Sequence, residues 1–132
     1  MMKHELTLQE IAWAAGLIEG EGSFIAHQLS YKDSTYWGCR VAMSMNQRDI
    51  DVLKKLQFIL GGRLSGPHIS KKGKPGQSEM INWYITKQNE AYKVAQLLLP
   101  YLGQRRQGQA RHMMECIKQN KRFVDETGID TK

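Results

Sequence analysis

Hydrophobic positions along this chain follow a helical period in some segments and a two-residue period in others, and the changes of period divide it into short elements. From Leu8 onward Ile11, Ala12, Ala15, Leu17 and Ile18 follow helical spacing. The start of that segment has complete capping chemistry: Thr7 can cap, Glu10 completes a capping box, and Leu6 with Ile11 can form a hydrophobic staple. Ser23–Tyr31 and Tyr36–Met45 read as a hairpin across a loop holding Lys32, Asp33 and Ser34. In its second strand Val41, Met43 and Met45 alternate with Arg40, Ala42 and Ser44, so one face is core and the other polar. Asn46 can cap a second helix with Ile50, Leu53, Leu56 and Leu60 along one side, ended by Gly61 and Gly62. Arg63–Ser70 and Ser78–Thr86 form a second hairpin joined by a loop with Lys71, Lys72 and Lys74. Asn89 opens a third helix that closes at Pro100, and a last helix spans about Gln107–Arg122 with Ala110, Met113, Met114 and Ile117 on its apolar side.

The element order α-β-β-α-β-β-α(α) predicts an α+β domain whose antiparallel sheet carries helices on one face. Residues 1–122 form that domain, and 123–132 are expected to be a disordered tail. At 132 residues the chain has room for one core and not for a second domain. The uncovered face would carry Arg40, Ser44, Arg63 and Ser65, with His27 and Tyr31, which makes it polar with a basic rim.

Two features of the first helix run against stability. Ala12, Gly16 and Gly20 recur at i, i+4 and i+8, although each helical glycine costs roughly 1 kcal/mol relative to alanine. Close approach of a second helix explains such a stripe economically. Glu19 and Glu21 then sit at the helix C-terminus, where carboxylates oppose the macrodipole unless a cation is bound. Two residues apart they point about 200° from each other, so they serve different roles.

Charge adds a partner class. The chain carries 19 Lys and Arg against 13 Asp and Glu, a formal charge of +6, and the excess is clustered. Residues 62–88 are net +4 and residues 103–122 net +5, whereas 1–61 are net −1. Clustered cations of this kind suit phosphates. No apolar run approaches the roughly 18 residues of a membrane span, and MMKHELTLQE lacks the apolar stretch of a signal peptide. A soluble intracellular protein is expected, with bacterial or phage cytoplasm and an organelle interior both compatible. Cys39 and Cys116 share no metal-ligand spacing with the histidines and read as reduced thiols, while His112 and Met113 read as surface and core positions.

Ala14-Ala15-Gly16-Leu17-Ile18-Glu19-Gly20-Glu21-Gly22 followed by Ser23-Phe24 resembles the signature of the LAGLIDADG homing endonucleases, with Ala14 for the first leucine, Glu twice for Asp and Gly20 for the second alanine. The segment Asn46-Gln47-Arg48-Asp49, the Gly61-Gly62 pair before a strand, and Leu99-Pro100-Tyr101-Leu102 before a Lys/Arg/Gln-rich stretch extend the likeness over about residues 8–120. The resemblance implies a saddle-shaped sheet on double-stranded DNA, and motif helices packed across a two-fold axis through Ala12, Ala15, Gly16, Glu19 and Gly20. A single motif copy implies a homodimer and a long near-palindromic target. It also implies a divalent metal, Mg²⁺ with Mn²⁺ able to substitute, held by Glu21 with Gly20, and no small-molecule cofactor or membrane partner.

By the same resemblance Gln47 positions water, with Asn46 and Met45 as alternative registers, and Arg106 or Arg105 steadies the transition-state charge. DNA contacts are expected from Ile25, His27, Leu29, Tyr31 and Lys32, from Arg40, Ala42 and Ser44, from Arg63, Ser65 and His68, from Lys71, Lys72 and Lys74, and from Asn82, with Met80 and Tyr84 on the same face. The function so implied is a site-specific, mobile-element-encoded DNA endonuclease that hydrolyses phosphodiesters. An inactive family member acting as an intron RNA maturase or DNA-binding regulator is the alternative, and a small RNA-binding or ribosome-associated domain a more remote one.

Overall fold

The computed structural model describes residues 5–68 and 79–120. Its elements are α1 (Leu8–Glu21), β1 (Gly22–Tyr31), β2 (Ser34–Asn46), a 3-10 turn (Gln47–Asp49), α2 (Ile50–Leu60), β3 (Arg63–His68), β4 (Met80–Ile85), α3 (Gln88–Leu98), a second 3-10 turn (Leu99–Tyr101) and α4 (Gln104–Lys118). This is the expected α+β order. The lysine loop with Lys71, Lys72 and Lys74, and the 123–132 tail, lie outside the described residues.

Helix α1 starts where its local chemistry dictates. The Glu10 N–H donates to the Thr7 hydroxyl at 3.1 Å, and the Thr7 N–H donates to Glu10 Oε1 at 3.0 Å, so two otherwise orphaned N–H groups are satisfied. Asn46 also caps, its Oδ1 accepting the Arg48 N–H at 3.0 Å, but the segment it opens is the 3-10 turn, and α2 proper begins at Ile50. Proline at position 100 ends α3 by removing the next helical N–H, and the chain tightens into the second 3-10 turn. The last helix departs most from expectation, running Gln104–Lys118 rather than Gln107–Arg122. Its N-cap is Gly103, which has no side chain to signal a helix start.

The four strands form one antiparallel sheet in the order β1-β2-β4-β3. Each hairpin pairs within itself, and Val41–Asn46 of β2 against Met80–Ile85 of β4 joins them. Phe24, Cys39, Val41, Met43, Ile81, Trp83 and Ile85 are buried along the helix-covered face. Against them pack Ile11, Ala14, Ala15 and Ile18 of α1, Leu53, Leu56, Ile59 and Leu60 of α2, Val94 and Leu98 of α3, and Met113 and Ile117 of α4. Burying each large side chain contributes roughly 1.5–3 kcal/mol, and both cysteines are free thiols, so burial rather than cross-linking holds the described fold.

Trp83, fully buried, donates its indole N–H to the Gly61 carbonyl at 2.9 Å, tying the end of α2 to the middle of the sheet. Gly61 and Gly62 follow α2 at φ 81° and 91°. A Cβ on Gly62 would lie 2.8 Å from the Trp83 indole nitrogen and 2.9 Å from the Tyr84 carbonyl oxygen. Gly62→Ala should therefore lower stability by about 2 kcal/mol, through left-handed backbone strain and this crowding. A urea-unfolding midpoint equal to that of the unmodified chain would contradict the packing.

Candidate active site

The end of α1 is built by reciprocal contacts with the start of α4. The Gly103 N–H donates to Glu19 Oε1 at 2.7 Å, and Arg106 Nε–H donates to the Glu19 carbonyl at 3.1 Å. Arg106 Nη1 also donates to Gln109 Oε1 at 2.9 Å, and the whole side chain is buried. A carboxylate thus serves the N-terminus of α4 while a guanidinium serves the C-terminus of α1, each the charge that its macrodipole favours. Glu19 is consequently engaged within its own chain. Arg105, one residue earlier, is exposed and makes no hydrogen bond or ion pair with a described residue.

Glu21 is the last residue of α1, exposed, and likewise without a partner among the described residues. The chain passes from it straight into β1, where Gly22 pairs with Met43 of β2. Four residues beyond Met43, Gln47 opens the 3-10 turn with its backbone N–H donating to the Glu79 carbonyl at 2.9 Å. Its side chain is exposed and makes no hydrogen bond with a described residue, whereas Asn46 is occupied as a cap and Met45 packs against the core. Glu21 and Gln47 therefore lie toward the same end of the sheet, and Arg106 reaches that end through Glu19.

Donor chemistry at Glu21 suits a hard divalent cation: a free carboxylate, beside a Gly20 carbonyl that no N–H of the same helix can reach. One chain supplies only part of a coordination sphere. Among the described residues no group of three His, Cys, Asp or Glu side chains could hold a metal ion.

The predicted contact residues that lie in β1–β4 share one open face of the sheet. Cross-strand pairs Ile25–Arg40, His27–Gly38, Leu29–Tyr36, Ala42–Tyr84, Arg63–Tyr84, Ser44–Asn82 and Ser65–Asn82 put them on the side opposite Phe24, Val41 and Trp83. Strict alternation beyond Ser65 would bring Pro67 to that face; an irregularity in β3 pairs His68 with Met80 instead, and His68 Nε2 lies 2.9 Å from the Ser65 hydroxyl. Ser44 donates to Asn82 Oδ1 across the strands. Tyr31 and Lys32 close the first hairpin, with Lys32 Nζ 5.5 Å from the Tyr31 ring centroid. Ser23, Tyr36 and Gly38 belong to the face and were not anticipated. A Cβ on Gly38 would meet Leu29 Cδ1 at 2.6 Å, so the bare glycine lets Leu29 lie over the backbone; a glycine inside a strand is the signal for such an approach.

Ala12, Gly16 and Gly20 form an exposed line along α1, and a Cβ on either glycine would meet nothing within 4 Å. Neither glycine answers to a contact inside the described chain. Ala15 does not belong to that line: one residue from Gly16, it is turned about 100° around the helix toward Ile11, Ala14 and Ile18, and it is fully buried against the core. It cannot contribute a side chain to a contact with a second copy, and Glu19 is held by Gly103.

At the opposite end of the molecule Asn120 clasps β2. Its Oδ1 accepts the Trp37 N–H at 2.8 Å, its Nδ2 donates to the Trp37 carbonyl at 2.9 Å, and Gln119 Oε1 accepts the Trp37 indole N–H at 2.9 Å. His112 is exposed, edge-on to Trp37 at 6.2 Å, and Met113 is buried, as expected. Both thiols are buried; burial first and neighbouring Cys116 second push the Cys39 thiol from 9.0 up to about 11. Cys116 is also raised, by burial and then by Glu115.

A family model described as LAGLIDADG endonuclease matches residues 14–108. No protein of curated function matches the chain in sequence. Among solved structures it is similar to the homing endonuclease I-CvuI in complex with the I-CreI target in the presence of Mg, at 23% identity and TM-score 0.67, covering 83% of this chain and 66% of that one. The homing endonuclease I-TnaI matches at 18% identity and TM-score 0.67, over 86% of this chain and 73% of that one. The group I intron-encoded I-CeuI, complexed with DNA, matches at 16% identity and TM-score 0.60, over 88% and 55%. These likenesses are of fold, and the chain spans about two thirds of the length of I-CvuI.

The buried thiols give a pH prediction. The folded chain keeps Cys39 protonated above 9.0, so its contribution is complete below that pH and is lost as pH rises through about 11. The urea-unfolding midpoint should therefore fall more steeply between pH 9 and 11 in the unmodified chain than in Cys39→Ala. Parallel curves would mean that the thiol is not buried as described.

Proposed function

The chain belongs to the LAGLIDADG endonuclease family, and from that premise we propose that it is a site-specific double-strand DNA endonuclease acting as a homodimer with a divalent metal. The observation that carries this reading is the pairing of a carboxylate, Glu21, that has no partner among the described residues with an adjacent exposed Ala12-Gly16-Gly20 line that none of the described residues covers. Two such helices brought together along that line would bring two Glu21 carboxylates to one place, which supplies the oxygen donors that a single chain lacks.

In this reading Glu21 and the Gly20 carbonyl hold Mg²⁺, with Mn²⁺ able to substitute. Such an ion, when bound, polarises the scissile phosphate and lowers the pKa of water. Gln47, with its amide uncommitted, orients the attacking water by accepting or donating a hydrogen bond. An arginine at the start of α4, Arg105 or Arg106, faces the charge that develops on the phosphate.

The open face of the sheet recognises the target. Arg40 and Arg63 are suited to guanine, Ser44, Ser65, His68 and Asn82 to polar base edges, and Ile25, Leu29, Ala42 and Tyr31 to thymine methyls and sugars. Lys32, Lys71, Lys72 and Lys74 suit phosphates. Two chains of formal charge +6 give a basic saddle of a size to straddle a duplex.

Two variants test the proposal on duplexes selected by the unmodified protein from a randomised library. Glu21→Gln should abolish cleavage while binding the selected duplex at least as tightly; persistent cleavage would remove Glu21 from the site, and a binder that never cuts in either form would point to a regulator or maturase. Gly16→Leu should sediment as a folded monomer, because the added side chain meets only the second copy. An unchanged sedimentation coefficient would sink the helix-to-helix interface.

A further inference from the structure

The arginine pair at the start of α4 divides its labour. We infer that Arg106 is a positioning residue that holds the end of α1 so that Glu21 is presented to the metal, and that Arg105 is the cation offered to the scissile phosphate. The inference rests on the reading of Glu21 as the metal ligand.

Burial argues first for the division. Arg106 is buried, and its guanidinium is held there by donating from Nε to the Glu19 carbonyl at 3.1 Å and from Nη1 to Gln109 Oε1 at 2.9 Å. Swinging out of its buried position toward a phosphate would take it from both acceptors, one of them a helix-end carbonyl that has no other donor in its helix. Arg105 is exposed and leaves nothing unpaired when it turns to an anion.

Geometry argues second. The Glu19 carbonyl is two residues from Glu21, in the same last turn of α1. Arg106 binds that residue's backbone while Gly103 binds its carboxylate at 2.7 Å, so Glu19 is gripped from both sides by α4. The last turn of a helix ordinarily frays. Here it is clamped at Glu19, and the next two residues, Gly20 and Glu21, carry the proposed donor oxygens. Outer contacts of this sort orient a ligand without touching the metal.

The test compares three variants on the full chain with its selected duplex, measuring Mn²⁺ binding by the loss of the free-ion electron paramagnetic resonance signal alongside cleavage kinetics. Arg106→Met keeps the packed stem and removes the donors; it should raise the half-saturating Mn²⁺ concentration about 10-fold or more, with a far smaller loss of kcat at saturating Mn²⁺ than Arg105→Met shows. Gly103→Pro removes the other half of the grip while Arg106 stays, and Gly103 at φ −73° after extended Leu102 accommodates proline. It should shift Mn²⁺ binding in the same direction, and it decides the matter if Arg106→Met does not fold. Arg105→Met should lower kcat about 100-fold with Mn²⁺ half-saturation unmoved.

A loss of kcat in Arg106→Met at unchanged Mn²⁺ binding would make Arg106 the phosphate cation and overturn the division. Gly103→Pro with unaltered Mn²⁺ binding would overturn the grip. Glu21→Gln separates this failure from that of the parent reading: if it still binds Mn²⁺ at the site, the metal assignment falls and the inference with it. If it loses Mn²⁺ while Arg106→Met and Gly103→Pro bind normally, only the positioning role is wrong.

Discussion

Every helix leaves N–H groups at one end and carbonyls at the other without partners in the helix, and in this fold the ends of α1 and α4 satisfy each other. Glu19 serves the beginning of α4, and Arg106 serves the end of α1. Each supplies the charge that the opposite dipole attracts, an arrangement worth roughly 0.3–1 kcal/mol per charge at a surface and up to about 2 when partly buried. The consequence reaches beyond stability. With Glu19 compensated, the charge imbalance at the end of α1 is confined to Glu21, the residue that leads into the sheet.

The sheet turns that single residue into part of a surface. Two hairpins joined through β2 and β4 make a four-stranded sheet too wide for its apolar side to stay bare, and four helices cover that side. Alternation then leaves the other side polar, with Arg40, Arg63, His27 and His68 exposed on it. Glu21 and Gln47 stand where β1 begins and β2 ends, at the same edge of that surface. The proposed site for chemistry and the proposed surface for recognition are therefore products of one topology, and neither needs a cavity.

Helix α1 lies at the meeting point of three demands. One side is filled by Ile11, Ala14, Ala15 and Ile18, its end is held by α4, and its remaining side is bare at Ala12, Gly16 and Gly20. Helical glycines without a contact among the described residues lower the stability of the isolated fold by roughly 1 kcal/mol each, which is consistent with a role that appears only when another backbone comes close. The same incompleteness marks the proposed metal site, since the described residues offer one unpartnered carboxylate there.

Signals that act within a few residues were legible in the sequence. Thr7 and Glu10 cap α1 by reaching three residues along the chain, Gly61 and Gly62 end α2 by their own backbone conformation, and strand alternation separates Phe24 and Val41 from Ile25 and Arg40. Tertiary structure alone decided what depends on groups far apart in sequence. Helix α4 starts three residues before its apolar pattern suggests, because the acceptor at its N-terminus is Glu19, 84 residues away, and Gly103 gives no local sign of it. Arg106, which the family resemblance makes a candidate for the phosphate, is drawn inward by the Glu19 carbonyl; Ala15 is taken from the bare side of α1 by the core; and His68 joins the open face through an irregularity in β3. A local pattern records the residues that can satisfy a neighbour. Unsatisfied helix ends and unfilled faces are matched only once the chain has folded, and that matching separates the residues left free to act from those that hold them in place.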